Sequence, residues 1–275
     1  MQEENKHRIN LWLGIAKSDL KSAQILYSKR QYRNSLYNFQ QALEKANKAF
    51  ILKANNISEE ELFDTKHDLF KLFRKEAVKK IDGLELQIKN LSEIKTDTSK
   101  IGRLERKHKS WSGSISSIDQ FRNIDISSLT INDLNFILKE FKKSIFLSVD
   151  LPNVLNKKAR GIVSNFLKRL EKLENKKALV AKMNFEEIIK DEENFKLSYE
   201  FIAGLINSMF VVYAFYACAI ITHKQNTLTR YPIDNHNPLS VYTLKHPLIK
   251  KQPDFMKLFE KALIKFDFSI NYLLK

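Results

Sequence analysis

Residues 32–46 read Tyr32-Arg33-Asn34-Ser35-Leu36-Tyr37-Asn38-Phe39-Gln40-Gln41-Ala42-Leu43-Glu44-Lys45-Ala46. Tyr32, Leu36, Phe39, Leu43 and Ala46 recur at alternating steps of four and three, and Phe50 continues the series. That is the period of one helix face; a strand would alternate every second residue. Upstream, Trp12, Ala16, Leu20, Ala23 and Tyr27 form a second stripe of the same kind. Only the polar break Ser28–Gln31 separates the two. So short a connection predicts an antiparallel hairpin of two helices.

Downstream, Ser58 with Glu61 has the spacing of a capping box. Thr65 with Asp68 is a second helix start, the threonine hydroxyl serving as the cap. Phe70, Phe73, Ala77, Ile81, Leu84, Ile88 and Leu91 then predict a helix running to about residue 94. Thr130 with Asp133 opens another, which Leu151-Pro152 ends, and further helices are expected at 153–175 and 178–191. The last helix is expected to begin near Pro253, with Phe259, Leu263, Phe266, Ile270 and Leu273 on one face. Two stretches lack helical period. Residues 95–128 are rich in Ser, Thr and basic residues and read as a mobile linker or a loosely packed hairpin, and Gln225–Ser240 reads as a loop.

Composition agrees with an all-α chain. Six Gly and five Pro in 275 residues are too few to punctuate a sheet-rich fold. The same scarcity excludes Gly-rich phosphate loops. A single cysteine, Cys218, excludes a disulfide framework and any multi-cysteine metal site. It lies in an apolar segment, where burial keeps a thiol inert. There is no HExxH, no His cluster at ligand spacing and no Asp-rich calcium loop, so neither metal nor cofactor is expected.

Phe201–Ile221 carries no charge over 21 residues, long enough to cross a bilayer. Asn207, Ser208, Tyr213 and Tyr216 interrupt it, and no second such segment exists. It therefore reads as a buried central helix of a bundle, with a membrane span the less favoured alternative. The opening MQEENKHRIN is polar and is no secretory signal, so the expected location is cytoplasmic. The wholly apolar helix needs more cover than amphipathic neighbours provide, which predicts a homodimer.

The formal net charge of +15 points to a polyanionic partner, either nucleic acid or an anionic membrane surface. Residues 157–177 hold eight basic and two acidic side chains. Lys168, Arg169 and Lys172 in this run are the candidate nucleic-acid-binding residues, with a plain solvated helix face as the alternative. Arg230 and His236 form the candidate catalytic pair. An arginine fork can hold a phosphate, and an imidazole can take a proton near neutral pH. Together they suffice for RNA cleavage without a metal, the histidine deprotonating the 2′-OH that attacks the phosphate. Arg103 and His108 share nearly this spacing within the basic stretch. His67, in Thr65-Lys66-His67-Asp68, reads as part of a helix start, and Gln40, Gln41, Glu44 and Lys48 read as helix surface.

These pieces, in this order, resemble the HEPN domain (higher eukaryotes and prokaryotes nucleotide-binding). Ala16-Lys17-Ser18-Asp19-Leu20-Lys21-Ser22-Ala23 is similar to the family's first helix, residues 32–46 to its second, and Thr65-Lys66-His67-Asp68-Leu69 to the start of its third. Thr229-Arg230-Tyr231-Pro232 resembles its Arg-Tyr-Pro turn. The resemblance covers about residues 9–94 and 195–274, with the segment between as an insertion. It divides the chain into an N-terminal bundle part (1–94), a basic linker with inserted helices (95–195) and a C-terminal bundle part (196–275). It implies an antiparallel helical bundle that dimerises. It further implies an RNase of toxin–antitoxin or antiviral systems, with Arg230 and His236 matching an Arg-x(4–6)-His motif at the dimer cleft. The alternative it leaves open is a non-catalytic module that binds RNA, a nucleotide or a partner such as a nucleotidyltransferase or an antitoxin.

Overall fold

The computed structural model describes residues 2–53, 58–65, 68–93, 98–123, 129–147, 192–223, 225–232 and 237–272. Every regular element among them is a helix, so the all-α expectation holds. In chain order these are α1 (Gln2–Ser28), α2 (Tyr32–Lys53), α3 (Glu59–Asp64), α4 (Leu69–Glu93), α5 (Thr98–Arg122) and α6 (Ile131–Leu147). They continue with α7 (Glu192–Thr222), α8 (Gln225–Leu228), α9 (Pro238–Val241) and α10 (Pro247–Tyr272). The chain divides into two compact units, residues 1–139 with 213–275 and residues 140–212. The second unit's described parts are the end of α6 and the beginning of α7.

In the first unit α2 is the central helix. Polar ties between named residues set the directions of its neighbours. Ser35 donates to the Ala23 carbonyl at 2.7 Å and Asn5 to the Leu52 carbonyl at 3.4 Å, so α1 runs antiparallel to α2. The Gln252 amide donates to Ser35 Oγ at 2.8 Å and Lys53 to Ser269 Oγ at 2.7 Å, so α10 runs parallel to α2. The core between them is aromatic. Phe215 of α7 packs on Phe50, Phe259 and Phe266 with ring centroids 6.2, 5.3 and 5.7 Å apart, and Phe39 meets Phe259 at 5.8 Å. Such pairs add about 0.5–1.5 kcal/mol each beyond their area. On α1 the buried stripe is Ile9, Leu13, Ala16, Leu20 and Ala23. It keeps the expected period and lies one position off at its N-terminal end, because Trp12 turns sideways onto Phe63 of α3.

The apolar stretch expected as a central helix is the C-terminal part of α7. Ala214, Phe215, Cys218, Ala219 and Ile221 are buried there. Among the described residues no helix is long and apolar enough to cross a membrane.

Four expectations need correction. Of the two readings of residues 95–128, the mobile linker fails for 98–122 and the packed hairpin is the nearer one. Residues 98–122 are a helix lying antiparallel on α4, tied by Arg122–Asp68 at 2.9 Å and His108–Glu85 at 2.9 Å. The α4–α5 core is small, built on Phe70, Ala77 and Ile118, which explains its faint sequence signal. At the start of α4 the cap is Asp68, whose carboxylate accepts from the Lys71 amide at 3.0 Å. The Thr65 hydroxyl instead donates to the Leu62 carbonyl at 2.7 Å, closing α3. Within 225–240, the short turns α8 and α9 replace part of the expected loop. Lastly, α10 begins at Pro247, and Pro253 sits inside it. The capping box at Ser58–Glu61 forms as expected, and the helix start at Thr130–Asp133 is a reciprocal cap of the same kind.

Candidate functional site

Arg230 follows α8, and its position is set by buried polar groups beneath it. Gln225 is buried, and its side-chain oxygen accepts from the Tyr242 hydroxyl at 2.5 Å. The Gln225 carbonyl accepts from the Thr229 amide at 3.0 Å and also from the Thr229 hydroxyl. Thr229 is thereby fixed and buried, and the next residue is directed outward. The Arg230 guanidinium lies over the Tyr37 ring, 5.3 Å from its centroid, and 5.1 Å from that of Tyr231. Two aromatic faces flank the cation and help to orient it.

Tyr37 brings the first turns of α2 into the site. Arg33, Asn34 and Tyr37 join Thr229 and Arg230 around an open cavity of about 280 Å³. Arg33 donates from Nε and Nη2 to Asn34 Oδ1 at 3.2 and 3.0 Å. Asn34 is neutral, so it orients the guanidinium and leaves its charge intact. No carboxylate is among the described residues that line the cavity. The turn before α2 contains Lys29 and Arg30. Arg30 takes the left-handed conformation (φ 60°) that ends α1, with the Gln31 amide donating to the Leu26 carbonyl at 2.9 Å and the Arg30 amide to the Tyr27 carbonyl at 2.9 Å.

Of the sequence-derived candidates, Arg230 is placed, while His236, His67, Lys168, Arg169 and Lys172 lie outside the described residues. Arg103 and His108 sit on α5, where His108 pairs with Glu85 beside a second open cavity of about 310 Å³ lined also by Ile88, Lys89 and Glu105. Arg33 is the residue that the sequence reading passed over. It lies in a polar first turn, and only the packing of α8 on α2 gives it meaning.

Gln40, Gln41, Glu44 and Lys48, expected on a helix surface, are buried. Lys48 pairs with Glu44 at 2.9 Å and lies 5.2 Å from the Trp12 ring centroid. Lys45 donates to Gln41 and faces Asp19 at 3.8 Å, and burial pushes the Asp19 carboxyl above its ordinary value. The correction has a simple cause: α2 is covered on several sides at once, so both of its faces are interior. Burial also pushes the Cys218 thiol far up, which keeps it protonated. Among the described residues no group of His, Cys, Asp and Glu could hold a metal ion.

This geometry defines an all-α bundle with a cationic cleft at one end of its central helix. Residues 9–105 match the family model of the HEPN domain, which covers α1 from residue 9 onward, then α2 to α4 and the start of α5. The resemblance read from residues 16–23, 32–46 and 65–69 falls within that match. No curated protein and no solved structure matches the chain.

Proposed function

We propose that this HEPN-like protein is a metal-independent endoribonuclease with Arg230 and His236 as its catalytic pair. The observation that carries the reading is Arg230 itself. It stands on a buried Thr229–Gln225–Tyr242 anchor and opens into a cavity shared with Arg33. Enzymes that cleave RNA without a metal need such a fixed cation where phosphate charge develops. His236, six residues further on, takes the 2′-OH proton as general base. The 2′-oxygen then bonds to phosphorus, the bond to the 5′-oxygen breaks, and that oxygen receives a proton. The products are a 2′,3′-cyclic phosphate and a 5′-hydroxyl.

RNA is the proposed substrate, a homodimer the proposed acting species, and a toxin–antitoxin or antiviral defence system in the cytoplasm the proposed setting, with an antitoxin or a nucleotidyltransferase as partner. Lys168, Arg169 and Lys172 supply affinity through RNA phosphates. The test is single-stranded RNA incubated with the full chain in EDTA. Cleavage that leaves cyclic phosphate, and that is lost in both Arg230→Ala and His236→Ala, supports the reading. A folded protein that binds RNA and cuts none returns it to a non-catalytic binding module.

A further inference from the structure

We propose that the outward face of α5 is an RNA-docking surface, on which Arg106, Lys107 and Lys109 hold the phosphates of a strand. The choice of RNA rests on the reading above. The surface itself uses neither Arg230 nor His236, and its three cations lie beyond the family match, which ends at residue 105.

The face is defined by what α5 turns the other way. Leu104, His108, Trp111, Ile115 and Ile118 recur at steps of four and three, and this stripe meets α4. Ile118 is buried with Phe70 and Ala77, Trp111 and Ile115 pack beside them, and His108 pairs with Glu85 at 2.9 Å. At 3.6 residues per turn, positions 106, 109 and 113 then point away from α4, with 107 and 110 beside them. Arg106, Lys107 and Lys109 are exposed.

Residues 100–109 carry five basic residues against one acidic. The carboxylates nearby are engaged on the α4 side. Glu85 holds His108, Asp119 faces Arg74 at 3.5 Å and Asp68 holds Arg122 at 2.9 Å. Glu105 lines the cavity of about 310 Å³ together with Glu85 and His108. Among the described residues no carboxylate pairs with Arg106, Lys107 or Lys109. Three cations within one helical turn repel each other, and a polyanion relieves that repulsion.

The chemistry of the face selects its occupant. A membrane surface needs an apolar stripe beside the cations, and a protein partner needs aromatic or aliphatic anchors. Between residues 102 and 117 the outward half of α5 has neither. Past Lys109 it continues with Ser110, Gly113, Ser114 and Ser117, while Leu104, Trp111 and Ile115 belong to the α4 side. A phosphate backbone asks only for cations along its path.

The full chain is titrated with a fluorescent single-stranded 2′-O-methyl RNA, which has no attacking hydroxyl, over a range of salt. The triple variant Arg106→Gln, Lys107→Gln, Lys109→Gln is compared with Lys250→Gln, Lys257→Gln, Lys261→Gln, which removes the same charge from exposed positions of α10. A third protein, Arg106→Lys, Lys107→Arg, Lys109→Arg, keeps the charge of the face. Gln, Lys and Arg have similar helix propensity, so α5 should persist in all three, which circular dichroism checks.

The α5 glutamine variant should bind at least about tenfold more weakly at low salt, with a log–log salt slope flatter by about 2, from about 0.7 per phosphate contact. The α10 variant and the charge-keeping variant should stay within about twofold of wild type, since charges far from the strand are screened. An α5 glutamine variant that loses no more than the α10 variant overturns the proposal, net charge alone then setting the affinity. A charge-keeping variant as weak as the glutamine one overturns it as well. So does binding to phosphatidylserine vesicles, and not to RNA, through the same three residues. If the face behaves as stated and the wild type cuts no RNA, the nuclease reading falls alone. If the wild type cuts RNA and the α5 glutamine variant binds it unchanged, the face falls alone.

Discussion

The Tyr27 hydroxyl donates to the Ile249 carbonyl at 3.1 Å, the carbonyl that Pro253, four residues on, has no amide hydrogen to meet. A proline inside a helix removes one ladder bond and leaves one acceptor open. Here α1 supplies the donor from its last turn, and the bond also pins the α1–α2 turn against α10. Tyr27→Phe should cost about 1 kcal/mol, the worth of one partly buried hydrogen bond. In a Pro253→Ala background the restored amide can meet the carbonyl, and the same change should cost less. Urea unfolding of the four proteins gives the coupling, and equal losses in both backgrounds would refute the pairing.

The Glu44–Lys48 ion pair predicts a different pattern. Both side chains are buried and 2.9 Å apart. Removing one partner strands a charge in the interior, which costs about 3–5 kcal/mol. Lys48→Met should therefore destabilise strongly, and Glu44→Leu with Lys48→Met should recover most of the loss. A double variant no more stable than Lys48→Met would mean that packing against Trp12, not charge, dominates.

Much of this architecture was legible because helical period survives in sequence. The stripes of α1 and α2 and the boxes at Ser58–Glu61 and Thr130–Asp133 are local patterns, and they form locally. What failed to show was everything decided at a distance. The start of α10 lies upstream of the expected one because Pro253 sits inside the helix, with the Tyr27 hydroxyl meeting the carbonyl that it leaves open. The α5 stretch reads as a mobile linker or a loosely packed hairpin because, among its described side chains, Ile118 alone is buried, with Trp111 and Ile115 partly so. Gln40 and Glu44 look like surface in any helical projection until helices cover α2 on several sides. The site divides the same way. Arg230 is a candidate from its spacing to His236 and from the Arg-Tyr-Pro resemblance. Arg33 carries no motif and gains its place only when α8 packs on α2.

Acid should act on α3 through Glu61. Its carboxyl is held down to about 2, first by the Lys79 ammonium that donates to it, then by the Ser58 amide, with Lys75 adding attraction. The folded value lies below the ordinary 4.5. The stabilisation is therefore present in full above about pH 4.5 and is lost as pH falls through about 2. Glu61 is near the surface, so the effect is local to the attachment of α3 on α4 and weakened by salt. An NMR titration of the Glu61 carboxyl should give a midpoint near 2, and Lys79→Gln should move it toward 4.5. An unchanged midpoint in that variant would remove Lys79 as the cause.

The anchor under Arg230 links stability to activity. Tyr242 is buried, and its hydroxyl is the donor to the Gln225 side-chain oxygen. Tyr242→Phe leaves that buried oxygen without this donor, at a cost of about 1–3 kcal/mol. The Gln225 backbone carbonyl accepts from both the amide and the hydroxyl of Thr229, so a shift of Gln225 that follows loss of its side-chain tie moves the residue that aims Arg230. A displacement of about 1 Å in a positioned group can cost roughly a hundredfold in rate. If the protein cleaves RNA as proposed, Tyr242→Phe should lower kcat by at least about tenfold at a temperature where the variant remains folded by circular dichroism. Tyr37→Phe serves as the contrast. It keeps the ring under the guanidinium and removes only a hydroxyl, so the rate should stay near wild type. A Tyr242→Phe enzyme with full kcat would show that Arg230 holds its position without the buried chain beneath it. A slow Tyr37→Phe enzyme would move the important contact from the ring face to the Tyr37 hydroxyl.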